Sequence, residues 1–306
     1  MKKVLITGGG GYIGGRLTQY LKQFSNLSVE VGTRSLPKKA DNHILMNWSD
    51  FPSLVKSLEN VHTLIHLASM NDVECNLDPV LAYEVNLMNT LRLVEAAKLA
   101  RVERIIYFST AHVYGGMTGI VTEKTLTKPI SPYAISHRAA EDIVLASSKK
   151  GIVPIVFRLA NGFGYPLNLN VKIWHLLVNE ACLSAVKDHE IKLKRSGLQW
   201  RNFITIHDIV RAVKHVIDAP ANDLFDGLFN LGSWKSMQVI EMVKLIQARC
   251  LSKFSYSPVI SVPDITNDIT LPELIFDISK ISATGFKVLG DFNKEIDNLL
   301  DMCAEL

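Results

Sequence analysis

Cysteine is scarce. Four stand in 306 residues, Cys75, Cys182, Cys250 and Cys303, and no two have the spacing of a metal-binding pair or a disulfide framework. This argues against a zinc ribbon and against a small cross-linked secreted fold. It predicts a reducing, cytoplasmic setting and no metal site. Long apolar runs are also missing. The run that follows Lys2 and Lys3 is Val4-Leu5-Ile6, and it soon meets four glycines, Gly8 to Gly11. A secretory leader needs about 7–15 apolar residues and a membrane span about 20, so a soluble chain with no membrane partner is expected. An excess of charge of one sign is nearly absent: 33 Lys and Arg stand against 30 Asp and Glu, a formal +3. Without a basic stripe there is nothing to hold a nucleic acid. Apolar residues, by contrast, make up 48% of the chain, enough for one large α/β unit with a substantial core.

Short apolar, β-prone runs alternate with helical patterns through the first half. Strands are predicted at Lys3–Thr7, Val29–Thr33, Thr63–Ala68, Arg104–Thr110 and Pro154–Ala160. They show little alternation, as expected where both faces of a strand are covered. Between the first two, Ile13, Leu17, Tyr20, Leu21 and Phe24 share one face of a helix spanning Tyr12–Phe24. Helices are also predicted over Pro79–Ala100, Tyr133–Ser148, Val171–Ala185 and Ser236–Ala248. The β-α-β alternation implies an α/β fold, a doubly wound parallel Rossmann sheet. Regularity breaks after Pro166. The expected division is therefore a nucleotide-binding domain over residues 1–165 and a smaller C-terminal substrate-binding region over 166–306. Part of the chain near 203–235 is expected to return to the first.

Thr7-Gly8-Gly9-Gly10-Gly11-Tyr12-Ile13-Gly14 lies between the first strand and the first helix. Gly8 suits the tight turn, Gly11 lets the backbone approach a pyrophosphate, and Gly14 lets helix and strand pack closely. The helix start adds free N–H groups and the positive end of its dipole. An NAD enzyme usually carries Asp or Glu at the end of the second strand. Here Glu30 lies inside the strand, and the end carries Thr33 and Arg34. A hydroxyl and a guanidinium suit the 2′-phosphate of NADP. NADP is the expected cofactor, with NAD as the alternative.

Further motifs follow in order: His66-Leu67-Ala68-Ser69, Asp78-Pro79, Val85-Asn86, Ser109-Thr110-Ala111-His112-Val113-Tyr114-Gly115 and Ser131-Pro132-Tyr133-Ala134-Ile135-Ser136-His137. Later come Arg158-Leu159-Ala160-Asn161-Gly162-Phe163-Gly164-Tyr165-Pro166, then Gln199-Trp200-Arg201-Asn202-Phe203-Ile204 with Asp208, and Asp277-Ile278-Ser279-Lys280. In this order they resemble the extended short-chain dehydrogenase/reductase family, the sugar-nucleotide epimerase/dehydratase branch, along most of the chain. The resemblance implies that Tyr133 is the general acid/base and that Thr110 hydrogen-bonds the reacting oxygen. It also implies a cofactor site built from Gly8, Gly11, Tyr12, Ile13, Gly14, Asn47, Trp48, Leu67, Ala68, Ser69, Asn86, Leu159 and Ala160. Asn161 and Arg201 match positions that hold the diphosphate side of a nucleoside diphosphate sugar. A homodimer formed by the helices at Pro79–Ala100 and Tyr133–Ser148 is implied as well.

Two departures qualify this picture. Four residues after the tyrosine the family has a lysine that binds the nicotinamide ribose and lowers the tyrosine pKa. Here the residue is His137, catalytic by position but often uncharged near neutral pH. The 4,6-dehydratases also carry Asp-Glu after the threonine, where this chain has Ala111-His112. The expected function is an NAD(P)-dependent epimerase or 4-keto-reductase. The alternative is an NADP-binding sensor or scaffold without turnover.

Overall fold

The computed structural model describes residues 1–36, 42–263 and 272–306. Seven strands form the central sheet, in spatial order Leu228–Leu231, Val153–Leu159, Arg104–Thr110, Thr63–His66, Lys2–Thr7, Leu27–Thr33 and His43–Leu45. Every neighbouring pair is parallel. The chain starts in the middle, steps outwards through Leu27–Thr33 and His43–Leu45, and returns to the other side at Thr63–His66. Strand order therefore reverses between Lys2–Thr7 and Thr63–His66. A crevice opens at such a point beyond the carboxyl ends of the strands.

The sheet is buried from both sides, which explains why its strands read as unbroken apolar runs; every residue of Arg104–Thr110 is buried. On one face Leu17 of helix Tyr12–Leu21 and Val213 of helix Ile206–Asp218 pack with Ile6, Ile65, Ile106 and Phe157. On the other, Leu54, Leu93 and Ala140, from helices Phe51–Ser57, Asn89–Leu99 and Pro132–Ala146, pack with Leu5, Leu64, Ile105 and Tyr107. A third core joins helices Leu177–Lys187, Val239–Phe254 and Phe292–Glu305 through Val178, Cys182, Met242, Ile246, Ile296 and Leu300. The buried pair Arg16–Glu295 (2.8 Å) ties the first helix to the last, and the Arg16 guanidinium also stacks 3.8 Å over the Tyr165 ring.

The C-terminal helices differ most from their sequence prediction. Helix starts at Leu177, not Val171. The apolar residues ahead of it are consumed in turns, with Leu176 N bonded to Ile173 O. Ser236–Gln238 is a strand paired with Trp200–Asn202, and helix begins only at Val239, where Glu241 reaches back to the Gln238 N–H. No helix among the described residues is long and apolar enough to cross a membrane.

Candidate active site

The glycine loop lies at the point where strand order reverses. Gly8 has φ +72°, and a Cβ there would sit 2.8 Å from the Ala68 nitrogen. A Cβ on Gly14 would sit 2.1 Å from the Gly8 carbonyl oxygen. Neither position tolerates a side chain. Around Gly10, in contrast, a Cβ meets nothing within 4 Å. Helix Tyr12–Leu21 starts from Gly11 with no side-chain cap, which leaves its first N–H groups available to a ligand. An open glycine cradle at an uncapped helix start fits a pyrophosphate.

The other residues expected to hold a cofactor line up around this cradle. Leu67 and Ala68 back directly onto Gly8, and Ala68 N lies 3.4 Å from Thr7 Oγ1. Ser69 is exposed beside them. Thr33 ends the second strand, its hydroxyl donating to Ser35 O, and Arg34 follows, exposed. Glu30 is spent on Lys3 at 2.8 Å. Asn47 is exposed and holds Ser49, whereas the Trp48 ring packs on the second core, 6.1 Å from His66. The Tyr12 hydroxyl donates to Gly164 O at 2.7 Å, Ile13 is half-buried, and Leu159 ends the strand next to Thr110 with Ala160 just beyond it. Asn86 is a buried brace: it accepts from Met70 N at 2.8 Å and donates to Ser136 Oγ at 3.2 Å, joining the loop after His66 to the Tyr133 helix.

Thr110 is the last residue of its strand, and its hydroxyl caps the turn Ala111–Tyr114. Ser131 caps helix Pro132–Ala146, which fixes Tyr133 in the first turn. Burial pushes the Tyr133 phenol up to about 12, opposed by a hydrogen bond from Thr110. His137, one turn further on, packs edge-on against Tyr133 with ring centroids 4.5 Å apart. Burial holds its imidazole down at about 4, against the weaker pull of the Phe108 backbone. Its Nδ1 lies 2.8 Å from the Tyr107 hydroxyl. The His112 ring also lies near Tyr133, with centroids 6.2 Å apart; burial lowers its pKa, with Asp72 opposing and Arg201 adding. Asn161 and Arg201 share the small sheet beside the cleft. Asn161 Nδ2 donates to Asn202 O, and Arg201 lies half-buried.

Sequence reasoning missed the polar layer beneath these groups. Glu141 accepts from Ser109 and holds Arg158 through both carboxylate oxygens, and Arg158 reaches Tyr114, which donates to Asn230. Glu141 and Arg158 are both nearly fully buried. His66 is bound by Thr7 at Nδ1 and Thr90 at Nε2. Because Thr90 gives its proton to Asn86 O, it accepts from His66. A buried charge inside a parallel strand, such as Arg158, was the one available signal.

A family model described as NAD dependent epimerase/dehydratase family matches residues 4–232. The chain belongs to this family. It is an enzyme of the extended short-chain dehydrogenase/reductase type, with NAD(P)-dependent hydride transfer as its chemistry. Human dTDP-D-glucose 4,6-dehydratase is 29% identical to it over 99% of this chain and 90% of its own length. Two solved structures share the fold throughout. RMD from Pseudomonas aeruginosa complexed with NADPH has a TM-score of 0.82 at 19% identity, covering 100% of this chain and 98% of that one. UDP-glucuronic acid 4-epimerase from Bacillus cereus in complex with NAD has a TM-score of 0.82 at 21%, covering 99% and 97%.

Proposed function

We propose that this family member is an NADP(H)-dependent 4-keto-reductase of a nucleoside diphosphate sugar, with epimerisation as the second reading. The observation that carries the proposal is Tyr133: half-buried, next to the Thr110 hydroxyl, and held protonated to about pH 12 beside an uncharged imidazole. A phenol in that state carries its proton throughout the neutral range and so is available as an acid, whereas the phenolate that oxidation needs as a base is scarce. Reduction of a ketone needs a proton at the carbonyl oxygen, supplied by Tyr133, while the Thr110 hydroxyl stabilises the charge that develops there. Bound at the glycine cradle, the reduced nicotinamide supplies the hydride. Gly8, Gly11, Tyr12, Ile13 and Gly14 approach its pyrophosphate, Leu67 to Ser69 line it, and Thr33 and Arg34 take the 2′-phosphate. Asn161 and Arg201 hold the substrate diphosphate.

Elimination of water is the poorer fit, since Ala111 and His112 bring no carboxylate to the position that follows Thr110. A sensor without turnover is not favoured either, because the acid/base pair is intact. In this reading residues 1–165 bind the cofactor and 166–306 the sugar nucleotide. The strand Leu228–Leu231 inside the central sheet supports the return of residues 203–235 to the first part. We place the protein in the cytoplasm as a homodimer; all four cysteines are buried and free. The test is turnover. Purified protein given NADPH and a UDP- or dTDP-linked 4-keto-sugar should consume both one for one, followed by nicotinamide absorbance. Interconversion of UDP-hexoses by a cofactor that survives gel filtration would favour the epimerase. Binding without turnover would restore the sensor.

A further inference from the structure

Tyr133 and Thr110 stand on different elements, the helix Pro132–Ala146 and the strand Arg104–Thr110. Their separation is set by whatever ties that helix to that strand. Ser109 immediately precedes Thr110, and its hydroxyl donates to Glu141 Oε1. Glu141 lies about two turns beyond Tyr133 on the same helix. Arg158 is the register partner of Ser109 on the neighbouring strand. It donates to Glu141 from Nε at 3.1 Å and from Nη2 at 2.8 Å. From Nη1 it also donates to the Tyr114 hydroxyl at 3.0 Å, which in turn donates to Asn230 Oδ1 at 2.6 Å. Tyr114 closes the turn Ala111–Tyr114 that follows Thr110. Thr110 is thus bracketed, by Ser109 before it and by Tyr114 after it, and both brackets end on the Glu141–Arg158 pair.

We propose that Glu141, together with Arg158, is a positioning residue: it sets the Thr110 hydroxyl against the Tyr133 phenol by tying both sides of Thr110 to the helix that carries Tyr133. The proposal rests on the reading of Tyr133 as the acid/base group and Thr110 as its partner. Glu141 is 0% exposed and Arg158 3%. Neither offers a surface to a ligand in the cleft, so neither is a catalytic residue.

Stability does not account for the pair. A buried ion pair gains little over well-packed apolar residues of the same volume, because both charges must leave water. What it adds is direction. A carboxylate held at both oxygens fixes strand against helix, whereas apolar packing is non-directional. Alignment matters here, because a reacting group displaced by about 1 Å can lose about 10²-fold in rate.

Glu141 alone is a poor target for the test, since its loss strands the Arg158 charge in the core. Ser109→Ala cuts the link to the strand and keeps the ion pair. Glu141→Met/Arg158→Met removes the pair and leaves no charge behind. With NADPH and a dTDP-linked 4-keto-sugar, each variant should lower kcat about threefold to thirtyfold. KM and NADPH affinity should stay within about twofold of wild type. The decisive readout is coupling to Thr110. In a Thr110→Ala background the alignment is already lost, so Ser109→Ala should cost nothing further. A role in folding alone would lower the rate by the same factor in both backgrounds. Ring-¹³C-labelled tyrosine adds a readout that needs no turnover. The Tyr133 Cζ resonance, assigned with Tyr133→Phe, should move in Thr110→Ala, and move the same way in Ser109→Ala and in the double variant. Equal losses in both backgrounds would overturn the proposal, as would wild-type kcat in Ser109→Ala. So would a Tyr133 resonance that ignores Thr110→Ala, or one that follows Thr110→Ala and ignores Ser109→Ala. Should the double variant not fold, Ser109→Ala carries the test. If the wild type turns nothing over, the reductase reading fails, and the Tyr133 resonance decides by itself whether this network aligns the two groups.

Discussion

Tyr133 is half-buried and His137 and His66 are almost fully so, and each makes a pH-dependent prediction. Reduction draws a proton from Tyr133, which stays protonated up to about pH 12, so its rate should be flat through neutrality. Oxidation needs the phenolate and should climb with pH to the limit of stability. In His137→Lys an ammonium about 4 Å away, at an effective dielectric near 20, would be worth about 4 kcal/mol to the phenolate. That is roughly three pKa units, so the oxidative profile should slide downwards. Rate–pH curves for wild type, His137→Lys and Tyr133→Phe separate these effects. Tyr133→Phe should lose about 10²-fold or more, and full activity in that variant would remove Tyr133 as the acid/base. Stability follows the two histidines. Burial holds His137 at about 4 and His66 at about 3, both below the ordinary 6.5. On acidification the unfolded chain therefore takes up protons before the folded one does. Stability supplied by the neutral rings is complete above about pH 6.5 and should fall as pH drops towards 4 and then 3. Urea midpoints across this window should decline, and decline less in His137→Gln. Arg34 makes a selective prediction: Arg34→Ala should weaken NADPH about tenfold and leave NADH nearly unchanged. Equal loss of both would mean that Arg34 faces solvent.

At the scale of elements, the glycine loop and the strand before it form one packed object. Gly14→Ala forces a Cβ to 2.1 Å from the Gly8 oxygen, backbone against backbone, so the loop must open. Overpacking of this kind costs about 1–3 kcal/mol, and both melting temperature and cofactor affinity should drop. Gly10→Ala, with open space around it, is the control and should keep its fold. A Gly14→Ala variant that melts and binds like wild type would show that the loop relaxes freely. These glycines are legible in the sequence because a turn, a close approach and a helix start all fall within eight residues. Strand Arg104–Thr110 is legible to its ends because both its faces are buried. The segment Pro79–Ala100 reads as one helix in sequence, but it widens into a π-helical turn over Tyr83–Met88. Apolar periodicity averages over such a widening. The turn carries Asn86, which braces the loop beside the glycines, so a locally irregular helix serves the site. The links from Tyr107 to His137 and from Ser109 to Glu141 span 30 and 32 residues. No local pattern encodes them; they arise only when strand and helix are packed together.

At the scale of the whole molecule, the apolar circumference of the segment Pro79–Ala100 divides into two faces. Leu93, Val94 and Ala97 are buried against the sheet. Leu81, Met88 and Leu91 remain exposed, and Leu77 and Val80 more so, at 81% and 80%. Ile135 of the neighbouring helix Pro132–Ala146 is exposed too. An apolar face of this extent, on helices packed beside each other, exceeds what scattered surface residues account for. A second copy related by a two-fold axis can cover it with the same face, since such an interface is self-complementary. Two helices from each copy would then form a four-helix seam, placing Tyr133 and His137 on an element stiffened by the partner. Light scattering at micromolar concentration should give twice the chain mass. The Leu81→Lys/Leu91→Lys double variant puts unpaired charges into the seam. Burying them there costs far more than removing two leucines from it, so the variant should run as a monomer. Both positions face solvent in the single chain, and the monomer should stay folded with its near-ultraviolet spectrum intact. A wild-type monomer at that concentration would leave the apolar face without this partner. A double variant that stays dimeric would place the interface on another surface.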